Sequence, residues 1–456
     1  MFSVREALGW LGAARLVGDG DVEIDAVCTD TRALSPGCLF VALRGDRFDA
    51  HDFLAQARSA GAAAVLAERW VDGMSPPALL VPDARCALGE LAIGWRRRFA
   101  LPVIAVTGSN GKTTVKEMVS AILAARFGEA GRLATAGNLN NEIGVPLTVF
   151  RLADAHRAAV LELGMNHPGE IAWLARIAQP SVALVNNAQR EHQEFLGSVE
   201  ATARENGAVI AALPADGVAV FPGDDAHTGL WRALAGVRRC VEFGLGAGHC
   251  VSAASDATPS AFMLSIDGAS AEVRLAIDGR HNVRNALAAA ACAHAMGIDL
   301  PTIVAGLERF RPVRGRLVRG VTARGAALID DSYNANPDSV RAAIDVLAAC
   351  AAPRVLVLGD MGEVGERGPE FHREVGAYAA ARGLEHLLAL GEATREAVAA
   401  FGAGAEHFTD VDALSGRAVA LAGAPATLLV KGTRSMRMER IVARLTGLPD
   451  NPEGSH

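Results

Sequence analysis

Hydrophobic and polar positions alternate along most of the chain in two patterns. Short apolar runs, such as residues 103–106, predict buried strands. Between these runs, apolar residues recur at helical spacing; after the run at 103–106 they are Val115, Met118, Val119, Ile122 and Leu123. Repeated strand-then-helix units predict an α/β fold with mostly parallel sheets covered by helices.

Two segments interrupt this pattern and predict domain joints. In W-R-R-R-F-A-L-P at residues 95–102, a basic turn meets a proline just before a strand. In R-F-R-P-V-R-G-R-L-V-R-G at residues 309–320, a proline and glycines stand among five arginines. We therefore predict three domains: a small α/β domain at 1–98, a central domain with a mostly parallel sheet at 99–312, and a C-terminal Rossmann-like domain at 313–456.

Composition narrows the class of protein. The chain has 456 residues and a formal net charge of -7, so attraction to nucleic acid or to an anionic membrane is not expected. Its seven cysteines are scattered without a C-x-x-C pair, which predicts buried thiols in a reducing compartment. No apolar run approaches the roughly 18 residues of a membrane span. We expect a cytoplasmic protein.

The segment T-G-S-N-G-K-T-T at residues 107–114 joins a predicted strand to a predicted helix. Backbone N–H groups and the helix dipole converge at such a junction, which suits a phosphate. Lys112 adds a positive charge, and the Thr113 hydroxyl is placed to ligate Mg²⁺. The alternative is an ordinary glycine-rich turn, but the Lys-Thr-Thr sequence favours a nucleotide loop. The loop comprises Gly108, Ser109, Asn110, Gly111, Lys112, Thr113 and Thr114.

This loop has two residues fewer than a Walker A loop, and it resembles T-G-x-x-G-K-[ST] of the Mur ligase and folylpolyglutamate synthase superfamily, which uses ATP to form amide bonds. The resemblance implies ATP and Mg²⁺ as cofactors. It implies catalytic roles for Lys112, Glu162 in E-L-G and His192, with Thr113, Glu162 and His192 as metal ligands. It also implies further ATP contacts by Asn282 and Asn285 in H-N-x-x-N, Arg316 and Asp331. A single asparagine capping a helix would leave the second one unexplained.

Further segments resemble the Mur ligases that act on UDP-linked precursors of peptidoglycan. They are D-T-R-A-L-S-P-G and its continuation to residue 53, G-N-L-N-N-E-I-G-V-P at 137–146, D-D-S-Y-N-A-N-P at 330–337, L-G-D-M-G-E-V-G at 358–365 and K-G-T-R-S-M-R-M-E at 431–439. The resemblance implies substrate contacts by Thr31, Arg32, Asp49, His51, Asn138, Asn140, Asn141, Asn334 and Asn336.

The implied reaction joins D-alanyl-D-alanine to UDP-N-acetylmuramoyl-tripeptide through an acyl phosphate, in a monomer. One alternative is the sister ligase that adds the third amino acid. Its D-N-P-R signature lies inside the C-terminal domain, whereas this chain has only D-N-P-E at residues 450–453. A second alternative is a non-catalytic sensor of nucleotide and precursor.

One position departs from the family pattern. Many members have a lysine on the helix after the metal-site histidine, carbamylated so that it bridges to a second Mg²⁺. In this register the position is Asn206, which has no charge and cannot be carbamylated. We predict a second metal site that is weaker or that uses Glu205 or Glu194, with activity that does not respond to bicarbonate.

Overall fold

The computed structural model of the chain describes residues 1–45 and 48–448. The D-N-P-E segment at 450–453 and residues 46 and 47 of the N-terminal motif lie outside them.

The N-terminal part contains a small sheet and three helices. Its strands are β1 (Phe2–Ser3), β2 (Arg15–Val17), β3 (Glu23–Ile24), β4 (Ala26–Cys28), β5 (Cys38–Val41), β6 (Ala64–Ala67) and β7 (Ala78–Leu80). Its helices are α1 (Val4–Trp10), α2 (Leu54–Ser59) and α3 (Ala84–Arg96), with 3-10 turns at Thr31–Ala33 and Ala50–Phe53. Five strands form a sheet in the order β2-β7-β6-β5-β4. β4 to β7 are parallel, whereas β2 is antiparallel to β7 and β1 pairs with β3.

The central part is built on a nine-stranded sheet. Its strands are β8 (Val103–Thr107), β9 (Arg132–Ala134), β10 (Ala158–Glu162), β11 (Val182–Val185), β12 (Val218–Pro222), β13 (Arg239–Leu245), β14 (Val251–Ala253), β15 (Phe262–Ile266) and β16 (Ala269–Val273). Its helices are α4 (Lys112–Phe127), α5 (Gly144–Val149), α6 (Glu170–Ala178), α7 (Gln193–Leu196), α8 (Val199–Ala211), α9 (Thr228–Ala235), α10 (Arg280–Ala295) and α11 (Leu300–Arg309), with a 3-10 turn at Glu129–Gly131. The order is β16-β15-β14-β13-β12-β11-β8-β10-β9, and every pair from β14 to β9 is parallel.

Both faces of the central sheet are buried, which explains the continuous apolar runs of its strands. Ile104 and Val106 of β8 pack with α4 and α10, whereas Val103 and Ala105 pack with α6 and α8 on the other face. Because each fully buried Val or Ile contributes about 1.5–3 kcal/mol, these runs anchor the loop that follows β8.

The C-terminal part is a six-stranded Rossmann-like sheet. Its strands are β17 (Val318–Val321), β18 (Ala327–Asp331), β19 (Arg354–Gly359), β20 (His386–Leu390), β21 (Ala405–Phe408) and β22 (Thr427–Lys431). Its helices are α12 (Pro337–Ala348), α13 (Gly368–Ala381), α14 (Arg395–Phe401), α15 (Val411–Leu421) and α16 (Glu439–Thr446), with 3-10 turns at Gly365–Arg367 and Arg434–Met436. The order is β17-β18-β22-β19-β20-β21, with β17 antiparallel and the others parallel.

This architecture confirms the predicted α/β class. The three larger sheets follow the order of the three predicted domains, whose boundaries stay predictions. No helix within the described residues combines the length and the apolar character needed to cross a membrane.

Strand β8 lies at the switch point of the central sheet. The chain runs from β8 to β9 and β10 on one side, and then returns to β11 on the other side of β8. Ligands of open parallel sheets bind beyond the carboxyl ends of the strands at such a point. The carboxyl ends of β8, β10 and β11 therefore define the region of the candidate site.

Candidate active site

The predicted phosphate loop lies between the end of β8 and the first residue of α4. Gly108 and Gly111 have φ of +131° and +82°. A β-carbon on Gly111 would lie 2.4 Å from Asn285 Oδ1 and 2.8 Å from Asn186 Nδ2, so both backbone conformation and space require glycine. Gly111 is the N-cap of α4 and offers no side chain to its first N–H groups. The start of α4 is therefore suited to bind an anion.

Three asparagines outside the loop fix its backbone. Asn206 Oδ1 accepts hydrogen bonds from the Thr107 hydroxyl at 2.6 Å and from the Gly108 N–H at 3.0 Å. Asn187 Oδ1 accepts from the Asn110 N–H at 2.9 Å, and Asn186 Nδ2 donates to the Asn110 carbonyl at 2.8 Å. Thus side chains from α8 and from the residues after β11 fix the backbone of the loop.

The position at which the family resemblance predicts a carbamylated lysine is occupied here by a residue that binds the loop. Asn206 is fully buried, and its oxygen is used by the loop. Glu205 is one of the two residues predicted to replace the missing lysine as a metal ligand. It accepts hydrogen bonds from the N–H groups of Gly169 and Ile171 at 2.9 and 3.0 Å. Because both carboxylate oxygens of Glu205 bind backbone N–H groups near the start of α6, the structure argues against Glu205 as a ligand of a second metal. Glu194 remains the other predicted substitute.

Lys112 lies over the loop and contacts an acid that the sequence motifs did not single out. Its Nζ donates to the carbonyls of Gly108 and Ser109 at 2.6 and 3.3 Å and to Glu191 Oε1 at 2.8 Å. The side chains of Lys112 and Glu191 are only 14% and 11% exposed. All three donors of Nζ have an acceptor, so a phosphate that binds Lys112 must replace one of them, and Glu191 is the one anion among the three.

His192 lies between two carboxylates. Its Nε2 is 3.5 Å from Glu191 Oε1, and its Nδ1 is 2.6 Å from Glu363 Oε2. Burial alone would lower the pKa of His192, but Glu191 and Glu363 together raise it to about 9. The ring is charged at neutral pH, so the predicted role of His192 as a metal ligand requires loss of this proton.

Glu162 is the last residue of β10 and is 2% exposed. Its Oε1 accepts from Asn140 Nδ2 at 2.8 Å, and its backbone N–H donates to Thr135 Oγ1 at 2.9 Å. Its Oε2 is buried and has no hydrogen-bond partner among the described residues. A buried carboxylate oxygen of this kind suits a hard cation such as Mg²⁺.

The loop that supplies Asn140 is ordered by its own side chains. Asn141 Oδ1 accepts from the N–H groups of Ile143 and Gly144 at 3.2 and 2.9 Å, and Asn138 is exposed. Arg85 of α3 pairs with Glu142 at 3.0 Å. This pair links the N-terminal part to the loop beside Glu162.

The two asparagines predicted to contact ATP at the start of α10 are joined to the phosphate loop through Asn186. Asn285 Nδ2 donates to Asn282 Oδ1 at 2.9 Å, and Asn285 Oδ1 accepts from Asn186 Nδ2 at 3.0 Å. The N-cap of α10 is Gly279, so the simple capping interpretation of these asparagines is wrong.

Residues after β18 reach the loop from the C-terminal part. Asn336 caps α12 and donates through Nδ2 to Asn110 Oδ1 at 2.8 Å. Asp331 Oδ2 lies 2.6 Å from Lys431 Nζ, so the carboxylate predicted to contact ATP is already paired with a lysine. Lys431 also donates to the Asn334 carbonyl at 2.8 Å, which fixes the turn that carries Asn336.

Two arginines complete this side of the site. Arg316 stacks on Tyr333, with its guanidinium carbon 4.3 Å from the ring centre. Arg190, a residue that the motifs did not indicate, lies 2.6 Å from Asp338 Oδ1 and 2.6 Å from Glu374 Oε2. It ties the segment after β11 to α12 and α13.

The N-terminal candidates lie in their own small sheet region. Thr31 begins a 3-10 turn capped by Asp30, and Arg32 is exposed and pairs with Asp30 at 2.6 Å. His51 is buried, with Nδ1 2.6 Å from Asp49 Oδ1 and Nε2 accepting from the Glu68 N–H at 2.9 Å. A substrate contact by His51 would therefore break an existing bond, whereas Arg32 is accessible.

Comparison with known proteins agrees with this geometry. The chain matches the family model of the Mur ligase middle domain at residues 106–293, of the Mur ligase glutamate ligase domain at 314–434 and of the Mur ligase catalytic domain at 23–96. The chain therefore belongs to the Mur ligase family.

Similar sequences carry one shared name. The chain is 44% identical to the UDP-N-acetylmuramoyl-tripeptide–D-alanyl-D-alanine ligase of Escherichia coli, over 93% of this chain and 94% of that protein. It is 39% identical to the Haemophilus influenzae ligase of the same name, over 95% and 96%. Within the Mur ligase family, the chain thus groups with these MurF ligases.

Solved structures support the same grouping. A crystal structure of MurF from Acinetobacter baumannii has a TM-score of 0.90 and 35% identity, and the match covers 98% of this chain and 99% of that one. MurF from Thermotoga maritima in complex with ADP has a TM-score of 0.82 and 25% identity, with 92% and 97% covered.

Proposed function

We propose that this chain joins D-alanyl-D-alanine to UDP-N-acetylmuramoyl-tripeptide with cleavage of ATP to ADP and phosphate, for peptidoglycan synthesis. The observation that supports this function most directly is the lysine-bearing loop at the switch point of a parallel sheet, with Glu162 at the end of the adjacent strand. The proposed substrates are those in the names of the relatives, which are similar to this chain over nearly its whole length.

The chemistry that we infer needs activation of a carboxylate. The terminal carboxylate of the tripeptide attacks the γ-phosphorus of ATP, the bond to ADP breaks, and an acyl phosphate forms. The amine of D-alanyl-D-alanine then attacks the acyl carbon, the bond to phosphate breaks and an amide remains. The proton of the attacking amine passes to solvent.

The chain's residues would bind and orient the reactants. Backbone N–H groups at the start of α4 and Lys112 Nζ would bind the phosphates and offset the charge that builds on the transferred group. Thr113 and Glu162, with His192 after loss of its proton, would hold Mg²⁺, which neutralises phosphate charge.

The remaining site assignments also form part of the proposal. Asn282, Asn285, Arg316 and Asp331 would contact the nucleoside of ATP. The N-terminal Thr31 and Arg32 would bind the UDP end, and residues around Asn140 and Asn336 would line the dipeptide side. We further propose a cytoplasmic monomer with the three domains that the sequence predicts.

Release of phosphate tests this function. Purified protein with ATP and Mg²⁺ should release phosphate only when both UDP-tripeptide and D-alanyl-D-alanine are present, and mass spectrometry should find UDP-pentapeptide. Lys112→Met should abolish the release. Product formed instead from UDP-dipeptide and a single amino acid would identify the sister ligase, and no turnover with any pair would favour a sensor.

A further inference from the structure

A cluster of three different side chains lies at the opposite end of α10 from the asparagines of the nucleotide site. Cys250 directly precedes β14, Asp267 lies in the turn between β15 and β16, and His294 lies in the last turn of α10. Their sulfur, carboxylate oxygen and ring nitrogen atoms all lie within 4.8 Å of one another. These are three separate elements that meet at one point.

One contact within the cluster is a hydrogen bond, whereas the other leaves a buried ring nitrogen unsatisfied. Cys250 Sγ is 3.1 Å from Asp267 Oδ1, and His294 Nε2 is 3.1 Å from Asp267 Oδ2. The histidine contact lacks hydrogen-bond alignment, and its buried Nε2 has no hydrogen-bond partner among the described residues. Around a tetrahedral Zn²⁺ with bonds of about 2.0–2.3 Å, ligand atoms lie roughly 3.3–3.7 Å apart. The two contacts to the oxygens of Asp267 lie within a few tenths of an ångström of this range, and the sulfur and the ring nitrogen lie within 4.8 Å of each other.

Backbone interactions place Asp267 next to Cys250. Asp267 has φ of +48° and is followed by Gly268 at +86°, a tight turn between paired strands. The Asp267 N–H donates to the Cys250 carbonyl at 3.1 Å. The carboxylate and the thiol are therefore held together by the sheet and not by flexible side chains alone.

We propose that Cys250, Asp267 and His294 form a binding site for a zinc-type divalent cation, separate from the nucleotide site and with a fourth position for water. A thiolate and an imidazole select Zn²⁺ over Mg²⁺, which prefers oxygen ligands throughout. Burial, followed by the neighbouring Asp267, raises the pKa of Cys250 to about 11 in the absence of metal. On binding, the thiol releases its proton to solvent as the sulfur–metal bond forms.

Metal binding by the full-length protein tests the site directly. After treatment with a chelator, titration with Zn²⁺ alone should show one equivalent bound by calorimetry. Co²⁺ should give the visible bands of a tetrahedral site and a sulfur-to-cobalt charge-transfer band. Cys250→Ser and His294→Gln should each weaken binding at least tenfold and remove the charge-transfer band or the tetrahedral spectrum, respectively.

Matched variants separate this site from other thiols and from misfolding. Cys240→Ser removes a half-buried thiol of the neighbouring strand β13 and should leave Zn²⁺ binding unchanged. Asp267→Asn keeps the size of the side chain and should also weaken binding, with an unchanged melting temperature in the absence of metal. Zn²⁺ should raise the melting temperature of the wild type but not of Cys250→Ser. An equal affinity in Cys250→Ser, or no binding by the wild type, would overturn the proposal.

Discussion

Replacement of Asn206 by alanine leaves two buried hydrogen-bond donors without the acceptor that they share. The Thr107 hydroxyl and the Gly108 N–H both donate to Asn206 Oδ1, at 2.6 and 3.0 Å. The side chain has no exposed surface, so bulk water cannot take its place without a rearrangement. Asn206→Ala therefore tests whether α8 holds the first residues of the phosphate loop.

The magnitude follows from the two lost bonds. A buried donor left unsatisfied costs about 1–3 kcal/mol, so two donors and the small cavity give a loss of about 2–5 kcal/mol in the free energy of unfolding. Because the Gly108 amide then turns more freely, the loop is less preorganised, and we expect the KM for ATP to rise about tenfold, equivalent to about 1.4 kcal/mol. Urea denaturation measures the first quantity and phosphate release the second.

Thr202→Val is the matched control. Thr202 lies one turn earlier on α8 and is fully buried. Its hydroxyl donates to the Ser198 carbonyl at 3.1 Å and accepts from Gln193 Nε2 at 3.4 Å, and neither partner belongs to the phosphate loop. Its loss should cost about 1 kcal/mol and leave the KM for ATP unchanged. If the free energy of unfolding of Asn206→Ala is within about 0.5 kcal/mol of the wild-type value and its KM for ATP is unchanged, the loop does not depend on Asn206.

Three other outcomes are expected. Bicarbonate should not raise activity at any Mg²⁺ concentration, since Asn206 cannot be carbamylated; activation would contradict this assignment. Glu191→Gln should lower the KM for ATP several-fold, because phosphate then no longer displaces a charged carboxylate from Lys112; a higher KM would show that Glu191 assists binding. The pKa of His192 is raised to about 9 from an ordinary value of about 6.5. Its contribution to the free energy of unfolding is thus complete below pH 6.5 and lost as pH rises through 9. Urea denaturation at pH 7 and pH 10 should show this loss in the wild type, and His192→Gln should show a smaller one.

The strand–loop–helix unit was predictable because its signals are local. Residues 103–106 are apolar on both faces of the sheet, and the glycines at 108 and 111 adopt the positive φ that such a turn needs. Fold class followed from the same periodicity. The motifs also indicated Asn285 and Asn336, which do contact the loop region, although contact with ATP stays a prediction for both.

The sequence motifs did not indicate residues whose contacts join distant parts of the chain. Glu191 precedes the predicted histidine, yet nothing local shows that it contacts Lys112, 79 positions earlier. Glu363 and Lys431 belong to glycine-containing motifs whose partners are set only when the sheets assemble. The asparagine pair at 186 and 187, directly after β11, was a usable signal, since strand ends at a switch point commonly carry site residues.

The carboxylates around Lys112 and His192 explain how a cationic site can stay ordered before a phosphate arrives. A largely buried lysine without a partner would be costly, and Glu191 offsets that cost while Nζ stays above the loop. Glu363 does the same for His192 from the C-terminal part. Phosphate entry then exchanges one anion for another rather than creating a new charged pair, so the net gain is modest. We therefore expect preorganisation of the loop by asparagines, and not charge alone, to contribute to the affinity for ATP.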